Sequence, residues 1–154
     1  RSSTNIYEQQ YQMGQFINKY YTGKVVALND IGAVNYFADV KCIDLWGLGN
    51  LEVSKKRRSS GFSSKDMTNI STKYGVDIAI IYDSWFAEGD STVIPGQWIK
   101  AGEWEIKDNI IAGDSKVSFY GVNPGETELL VENLNDFSKN LPRSVIQKKV
   151  NSSK

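Results

Sequence analysis

The chain has 154 residues, enough for one domain with a substantial core and too few for a second independent one. Lys plus Arg and Asp plus Glu both number 18, so no net field attracts nucleic acid, and no nucleic-acid partner is expected. Histidine is absent and Cys42 is the single cysteine, which removes an intrachain disulfide, a four-cysteine metal site, the Ser-His-Asp arrangement and the usual zinc ligand.

From Asn5 to Tyr21 the residues Ile6, Met13, Phe16, Ile17 and Tyr20 recur at helical spacing, with Gln9, Gln10, Gln12 and Gln15 between them; residues 1–22 therefore read as a leading helix that Gly23 ends. Val25 to Leu28 is a short β-branched run of the kind buried on both faces in a parallel sheet, and so a central strand. Asp30 sits where that strand turns into a short helix, Ile31 to Phe37, and its carboxylate can cap the helix. Gly32 relaxes the turn. Cys42 to Trp46 resumes the strand pattern before Gly47 and Gly49 break it, giving a compact βαβ unit.

Leu51 to Phe62 is polar and contains Lys55, Lys56, Arg57 and Arg58, an exposed loop or frayed helix end. Ser63 with Asp66 makes a capping box for a helix whose Met67, Ile70 and Tyr74 share a face, and Gly75 closes it. Val76 to Tyr82 is the strongest strand and a second buried parallel one. After Trp85 the pattern turns antiparallel, with Val117 to Val122 separated from Ile110-Ile111 by a Gly113-Asp114-Ser115 turn. Asn123-Pro124-Gly125-Glu126 starts a helix with Leu130, Leu134, Phe137 and Leu141 on its buried stripe. Asn140-Leu141-Pro142 stops it, and residues 143–154 read as a polar tail. The predicted fold is a single α/β domain over 1–154, a small three-layer Rossmann-like arrangement with parallel central strands and an antiparallel extension.

Chemistry is sparse. Asp30 and Asp44 belong to adjacent parallel strands, where ligands bind beyond the carboxyl ends, but helix capping by Asp30 and a loop hydrogen bond by Asp44 are the plainer account. Asp83 and Trp85 end the second buried strand and are the binding candidates to test first. The basic run Lys55 to Arg58 could contact phosphate of a lipid carrier or simply face solvent. Trp46, Trp98 and Trp104 default to core packing. No G-x-G-x-x-G run opens a helix, so no nicotinamide or flavin cofactor is expected, nor any metal site. Asn69-Ile70-Ser71 matches a glycosylation acceptor but lies on a predicted helix, and no function is attached to it.

The stretch Asn29 to Phe37, followed by Ile43 to Leu48, resembles the Asn-Asp-Ile-Gly-Ala-x-x-Tyr-Phe and Asp-Leu-x-Gly-Leu sequences in the C-terminal extracytoplasmic portion of multi-spanning bacterial glycosyltransferases of the C-type superfamily, which use polyprenyl-phosphate sugars. Tyr74 to Ile81 is similar to the family's next strand and Phe119-Tyr120 to its terminal strand, so the resemblance covers about residues 20 to 122. It implies a domain on the periplasmic or extracellular side of the bacterial membrane, with the membrane-embedded portion of the same polypeptide as partner and a glycan acceptor or polyprenyl-phosphate sugar nearby. It also implies structural or docking roles for Asp30, Gly32 and Asp44, and no catalytic residue, because that family's catalytic carboxylate lies near its first membrane helices. No apolar run reaches the ~20 residues of a membrane span, so the fragment itself is expected to be soluble. The start at Arg1, without Met, points to processing, a cloning scar or a domain cut from a longer protein. The rival expectation is a free-standing α/β domain or small-molecule enzyme with its pocket at Asp30, Asp44, Asp83 and Trp85.

Overall fold

The computed structural model describes residues 2–28, 40–45, 63–88, 91–106 and 116–150. Among them three helices, α1 (Ser2–Tyr20), α2 (Ser64–Tyr74) and α3 (Pro124–Phe137), accompany a six-stranded mixed sheet. Its strands are β1 (Val25–Leu28), β2 (Lys41–Asp44), β3 (Ile78–Ile81), β6 (Ile99–Ile106), β7 (Lys116–Gly121) and β8 (Val145–Lys149), in the order β2-β1-β3-β7-β6-β8. Two short strands, β4 (Ala87–Glu88) and β5 (Ser91–Thr92), form a separate antiparallel ribbon.

The two apolar runs become the parallel half of the sheet. β1 lies between β2 and β3 and pairs in parallel with both, Val26 standing opposite Cys42 on one side and Ile78 on the other. Alternate residues then enter opposite faces. Val26, Leu28, Ile78 and Ile80 join Met13, Phe16 and Ile17 of α1 and Leu130, Leu134 and Phe137 of α3. Ala27, Ala79 and Ile81 join Met67 and Ile70 of α2 in a second cluster. Because both faces of these strands are covered, their sequences are apolar throughout rather than alternating. Beyond β3 every pairing is antiparallel, as the change of pattern after Trp85 implies.

Local chemistry sets the helix ends. The Ser63 hydroxyl accepts from the Asp66 amide at 3.2 Å, and the Asp66 carboxylate accepts from the Ser63 amide at 3.0 Å, closing the capping box. Gly75 adopts φ 66° and returns its amide to Ser71 and Thr72 carbonyls, a left-handed cap that a side chain would strain. Replacing Ser63 by Ala should cost ~1 kcal/mol, since two amides of the first turn depend on this exchange. Urea unfolding would report it as a lower midpoint at unchanged slope. At α3 the Asn123 side chain accepts from the Glu126 amide at 2.9 Å, with Pro124 at the first helical position.

Two expectations need correction. Residues 143–154 are not simply a polar tail: Val145–Lys149 is β8, the edge strand paired with β6 from Ile106↔Val145 to Gly102↔Lys149. One side of an edge strand faces solvent, and of its inward residues only Val145 is apolar, so the alternation is faint in the sequence. The last helix ends at Phe137; a 3₁₀ turn, Ser138–Asn140, follows, and Leu141 packs on the core from beyond it. The predicted helix Ile31 to Phe37, the glycines 47 and 49, Trp46, the stretch from Leu51 to Phe62 and the turn at 113–115 lie outside the described residues.

Candidate functional site

Parallel pairing of β1, β2 and β3 puts their carboxyl ends along one edge of the sheet. Asp44 ends β2 and is buried; Asp83 opens the 3₁₀ turn Asp83–Phe86 just past β3. These two carboxylates are not brought together, because β1 lies between their strands. Asp83 turns instead toward the antiparallel half, and its partners come from β6 and β7.

Ser118 and Tyr120 are two residues apart on β7 and so share a face. The Ser118 hydroxyl donates to Asp83 Oδ2 at 2.9 Å, and the Tyr120 hydroxyl donates to Oδ1 at 2.8 Å. On β6 the register shifts between Lys100 and Gly102. That bulge lets Lys100 and Glu103, an odd number of positions apart, both meet this face: Lys100 stands opposite Tyr120 and Glu103 opposite Ser118. The Lys100 ammonium donates to Asp83 Oδ2 at 3.3 Å and to Glu103 Oε2 at 3.0 Å. The cluster is half-covered, with the Asp83 side chain 41% exposed and that of Glu103 18%.

The electrostatics decide what this cluster can do. Burial raises the Tyr120 phenol far above its ordinary value, and the Asp83 charge and hydrogen bond raise it further. For Lys100, burial works to lower the ammonium, but the hydrogen bond to Glu103 and the charges of Asp83 and Glu103 together outweigh it and leave it raised. At neutral pH Tyr120 therefore keeps its proton and Lys100 its charge, so neither serves as base or nucleophile. The cluster is a charge-compensated polar network on a sheet face.

Tyrosine ionisation follows from the same burial. Tyr21 is pushed up to about 12 by burial, its hydrogen bond from Asn133 opposing, and Tyr20 to about 12 by burial and by donating to Asp136. A folded-state value above the unfolded one means that the stability contribution is complete below the ordinary tyrosine pKa of ~10 and is lost as pH rises through the folded value. Tyrosinate absorbance should accordingly show Tyr20, Tyr21 and Tyr120 missing from the titration near pH ~10, appearing together with unfolding at higher pH. A titration in which all eight tyrosines ionise together in the folded chain would contradict the burial of Tyr21 and Tyr120 and the hydrogen bond from Tyr20 to Asp136.

Of the other predicted residues, Trp85 is 39% exposed and stacks on Tyr82, ring centroids 5.5 Å apart. The Tyr82 hydroxyl reaches Gln9 Oε1 at 3.4 Å, and Gln9 donates in turn to the Trp104 carbonyl at 3.4 Å, a buried polar link from α1 to β6. Trp98 and Trp104 are core residues. Cys42 is half-buried, and burial pushes its thiol up, away from reactivity. Of the glycosylation-like triplet, Asn69 is exposed, whereas Ile70 and Ser71 are buried, the Ser71 hydroxyl donating to the Met67 carbonyl at 2.8 Å. Asp30, Gly32 and Lys55, Lys56, Arg57 and Arg58 lie outside the described residues. Among the described residues no three carboxylate or cysteine groups converge as a metal site, and no helix is long and apolar enough to cross a membrane.

Sequence reasoning reached Asp83 but not Lys100, Glu103, Ser118 or Tyr120. The one local signal was Ser118, a polar residue between Val117 and Phe119 in an otherwise apolar strand.

No curated protein and no solved structure matches this chain. A family model described as Domain of unknown function (DUF8728) matches residues 4–120, which takes in nearly all of α1, strands β1 to β6, β7 as far as Tyr120, and every member of the Asp83 cluster. With well over half of its length matched, the chain belongs to the DUF8728 family.

Proposed function

We propose that this chain is the extracytoplasmic accessory domain of a bacterial membrane glycosyltransferase that uses polyprenyl-phosphate sugars. The domain packs over the membrane-embedded active site of its own polypeptide and aids binding of the acceptor glycan or lipid carrier, without catalysing transfer alone. In this reading its architecture is a three-layer Rossmann-like one, Asp30, Gly32 and Asp44 serve docking, and Lys55 to Arg58 meet carrier phosphate.

The observation that carries the reading is the paired resemblance at Asn29 to Phe37 and Ile43 to Leu48. In sequence β1 leads directly into the first stretch, and β2, which pairs in parallel with β1, contains Ile43 and Asp44 of the second. Deleting the corresponding residues from the full-length protein, with membrane insertion preserved, is expected to impair sugar transfer. Unchanged transfer would overturn the assignment, as would a reading frame with no hydrophobic spans upstream of Arg1.

One observation favours a second reading, a free-standing α/β domain that binds a small molecule. The chain passes from β1 to β2 on one side and on to β3 on the other, which makes the carboxyl end of β1 a topological switch point, the place where such sheets take ligands. A soluble reading frame together with a metabolite that raises the melting temperature of the wild type, but not of Asp83→Asn, would select it.

A further inference from the structure

The helical spacing of α2 decides where its hydroxyls lie. Met67, Ile70 and Ser71 are buried, and Thr68 and Thr72, each one position further along, share the flank beside them. That flank meets the turn leading into β6, where the Trp98 amide donates to the Pro95 carbonyl at 3.1 Å and Gln97 Nε2 reaches Thr68 Oγ1 at 2.9 Å. The left-handed cap at Gly75 brings the chain round, the Val76 amide donating to the Ser71 carbonyl at 2.9 Å. Between the last turns of α2, this turn and Val122 after β7 lies a cavity of ≈ 210 Å³, the room of about seven waters at ~30 Å³ each.

Hydrogen bonding within α2 orients the polar side of this cavity. Thr68 Oγ1 donates to the Ser64 carbonyl at 2.9 Å and Ser71 Oγ to the Met67 carbonyl at 2.8 Å, so their protons point back along the helix and their lone pairs remain to accept. With its proton engaged, Thr68 can only accept from Gln97, which fixes that amide with Nε2 toward Thr68 and leaves Oε1 as an acceptor. Thr72 adds a third hydroxyl to the lining. The carboxyl end of α2 also carries the partial negative charge of a helix terminus, which favours a cation there. Lys73 of the same turn lies over the Tyr74 ring, 5.6 Å from its centroid. Val76, Trp98 and Val122 supply apolar walls, the indole resting against Tyr120 with centroids 6.3 Å apart.

We propose that this cavity binds a small organic primary ammonium, its N–H groups donating to Ser71 Oγ, Thr72 Oγ1 and Gln97 Oε1 and its carbon skeleton lying against Val76, Trp98 and Val122. An ammonium group has three donors and no acceptor, which matches a set of oriented acceptors at the negative end of a helix. The site shares no residue with the Asp83 cluster and rests on neither reading given above.

The test is to titrate the ¹⁵N-labelled chain, at neutral pH and fixed ionic strength, with cyclohexylammonium and with cyclohexanol, a neutral molecule of the same size and shape. Saturable shifts at residues 68–76, 97–98 and 122 are expected with cyclohexylammonium, in the millimolar range of so small a ligand, and cyclohexanol should bind at least about tenfold more weakly. Ser71→Ala and Gln97→Ala should each weaken the ammonium roughly tenfold, the loss of one hydrogen bond to a charged group. Gln97 is exposed, so its variant decides the matter even if the buried Ser71→Ala perturbs the helix. No saturable shift with cyclohexylammonium, equal or tighter binding of cyclohexanol, shifts centred on Asp83 and Glu103, or an affinity unchanged by Gln97→Ala would each overturn the proposal.

Discussion

Gly121→Ala is expected to destabilise the chain by about 3 kcal/mol, the upper end of what overpacking a well-filled site costs. Gly121 ends β7, opposite Ile78 on one side and Ile99 on the other, where the first turn of α3 crosses the strand. A Cβ built there would stand 2.2 Å from the Thr127 hydroxyl, 2.5 Å from its amide nitrogen and 2.6 Å from its Cα. Two of these are backbone atoms, so no rotamer change relieves the clash. Thr127 is itself held, its amide donating to the Asn123 carbonyl at 3.0 Å and its hydroxyl to the same oxygen at 2.8 Å. The added carbon must therefore lift the start of α3 and loosen Leu130, Leu134 and Phe137 in the core. Gly96→Ala is the control, since a Cβ there meets nothing within 4 Å. Equal urea midpoints for the two variants would refute the close approach of α3 to β7.

Trp104→Ala should cost ~3–5 kcal/mol, a large share of the ~5–15 kcal/mol that holds a domain together. Trp104 is fully buried on β6, and its ring lies 4.7 Å from Phe119 and 5.8 Å from both Phe16 and Phe137, centroid to centroid. It is thus where α1, α3 and the sheet meet. The indole also donates to Gln147 Oε1 at 2.8 Å, and Gln147 donates to the Leu134 carbonyl at 3.1 Å, tying the edge strand β8 to α3. Truncation removes the apolar burial, opens a cavity between rigid rings and cuts this link. Trp104→Phe separates the contributions: it keeps most of the ring volume and loses the hydrogen bond, for which ~1 kcal/mol is the ordinary net value. The expected order of stability is wild type, then Phe, then Ala well below. An Ala variant no weaker than the Phe variant would mean that packing at this point contributes little.

The candidate site was only partly legible in the sequence. Asp83 was singled out because it follows a buried strand, and the structure does put it at the center of a polar network. Its partners are 17, 35 and 37 positions away, and two of the four added residues reach the common face only because β6 is bulged. A bulge inverts the alternation that a strand pattern relies on, so Lys100 and Glu103 look as if they face opposite ways. β8 was missed for a related reason. Gln147 is on the inward side of that strand, polar because the Trp104 indole needs an acceptor, and an inward glutamine erases the apolar alternation.

What the sequence by itself determined are the features that depend on neighbours a few residues away. The capping box at Ser63 and Asp66, the left-handed Gly75, the Asn123-Pro124 helix start and the fully apolar Val25–Leu28 and Ile78–Ile81 strands all follow from local hydrogen bonding and burial, and they suffice for a mixed α/β fold. Tertiary structure alone decided the strand order, the recruitment of β8 to the open edge of β6, and the turning of Asp83 toward Lys100, Ser118 and Tyr120. Each of these joins segments far apart in the chain, and pairings of that kind are selected by the packing of the whole sheet and its helices rather than by the residues on either side.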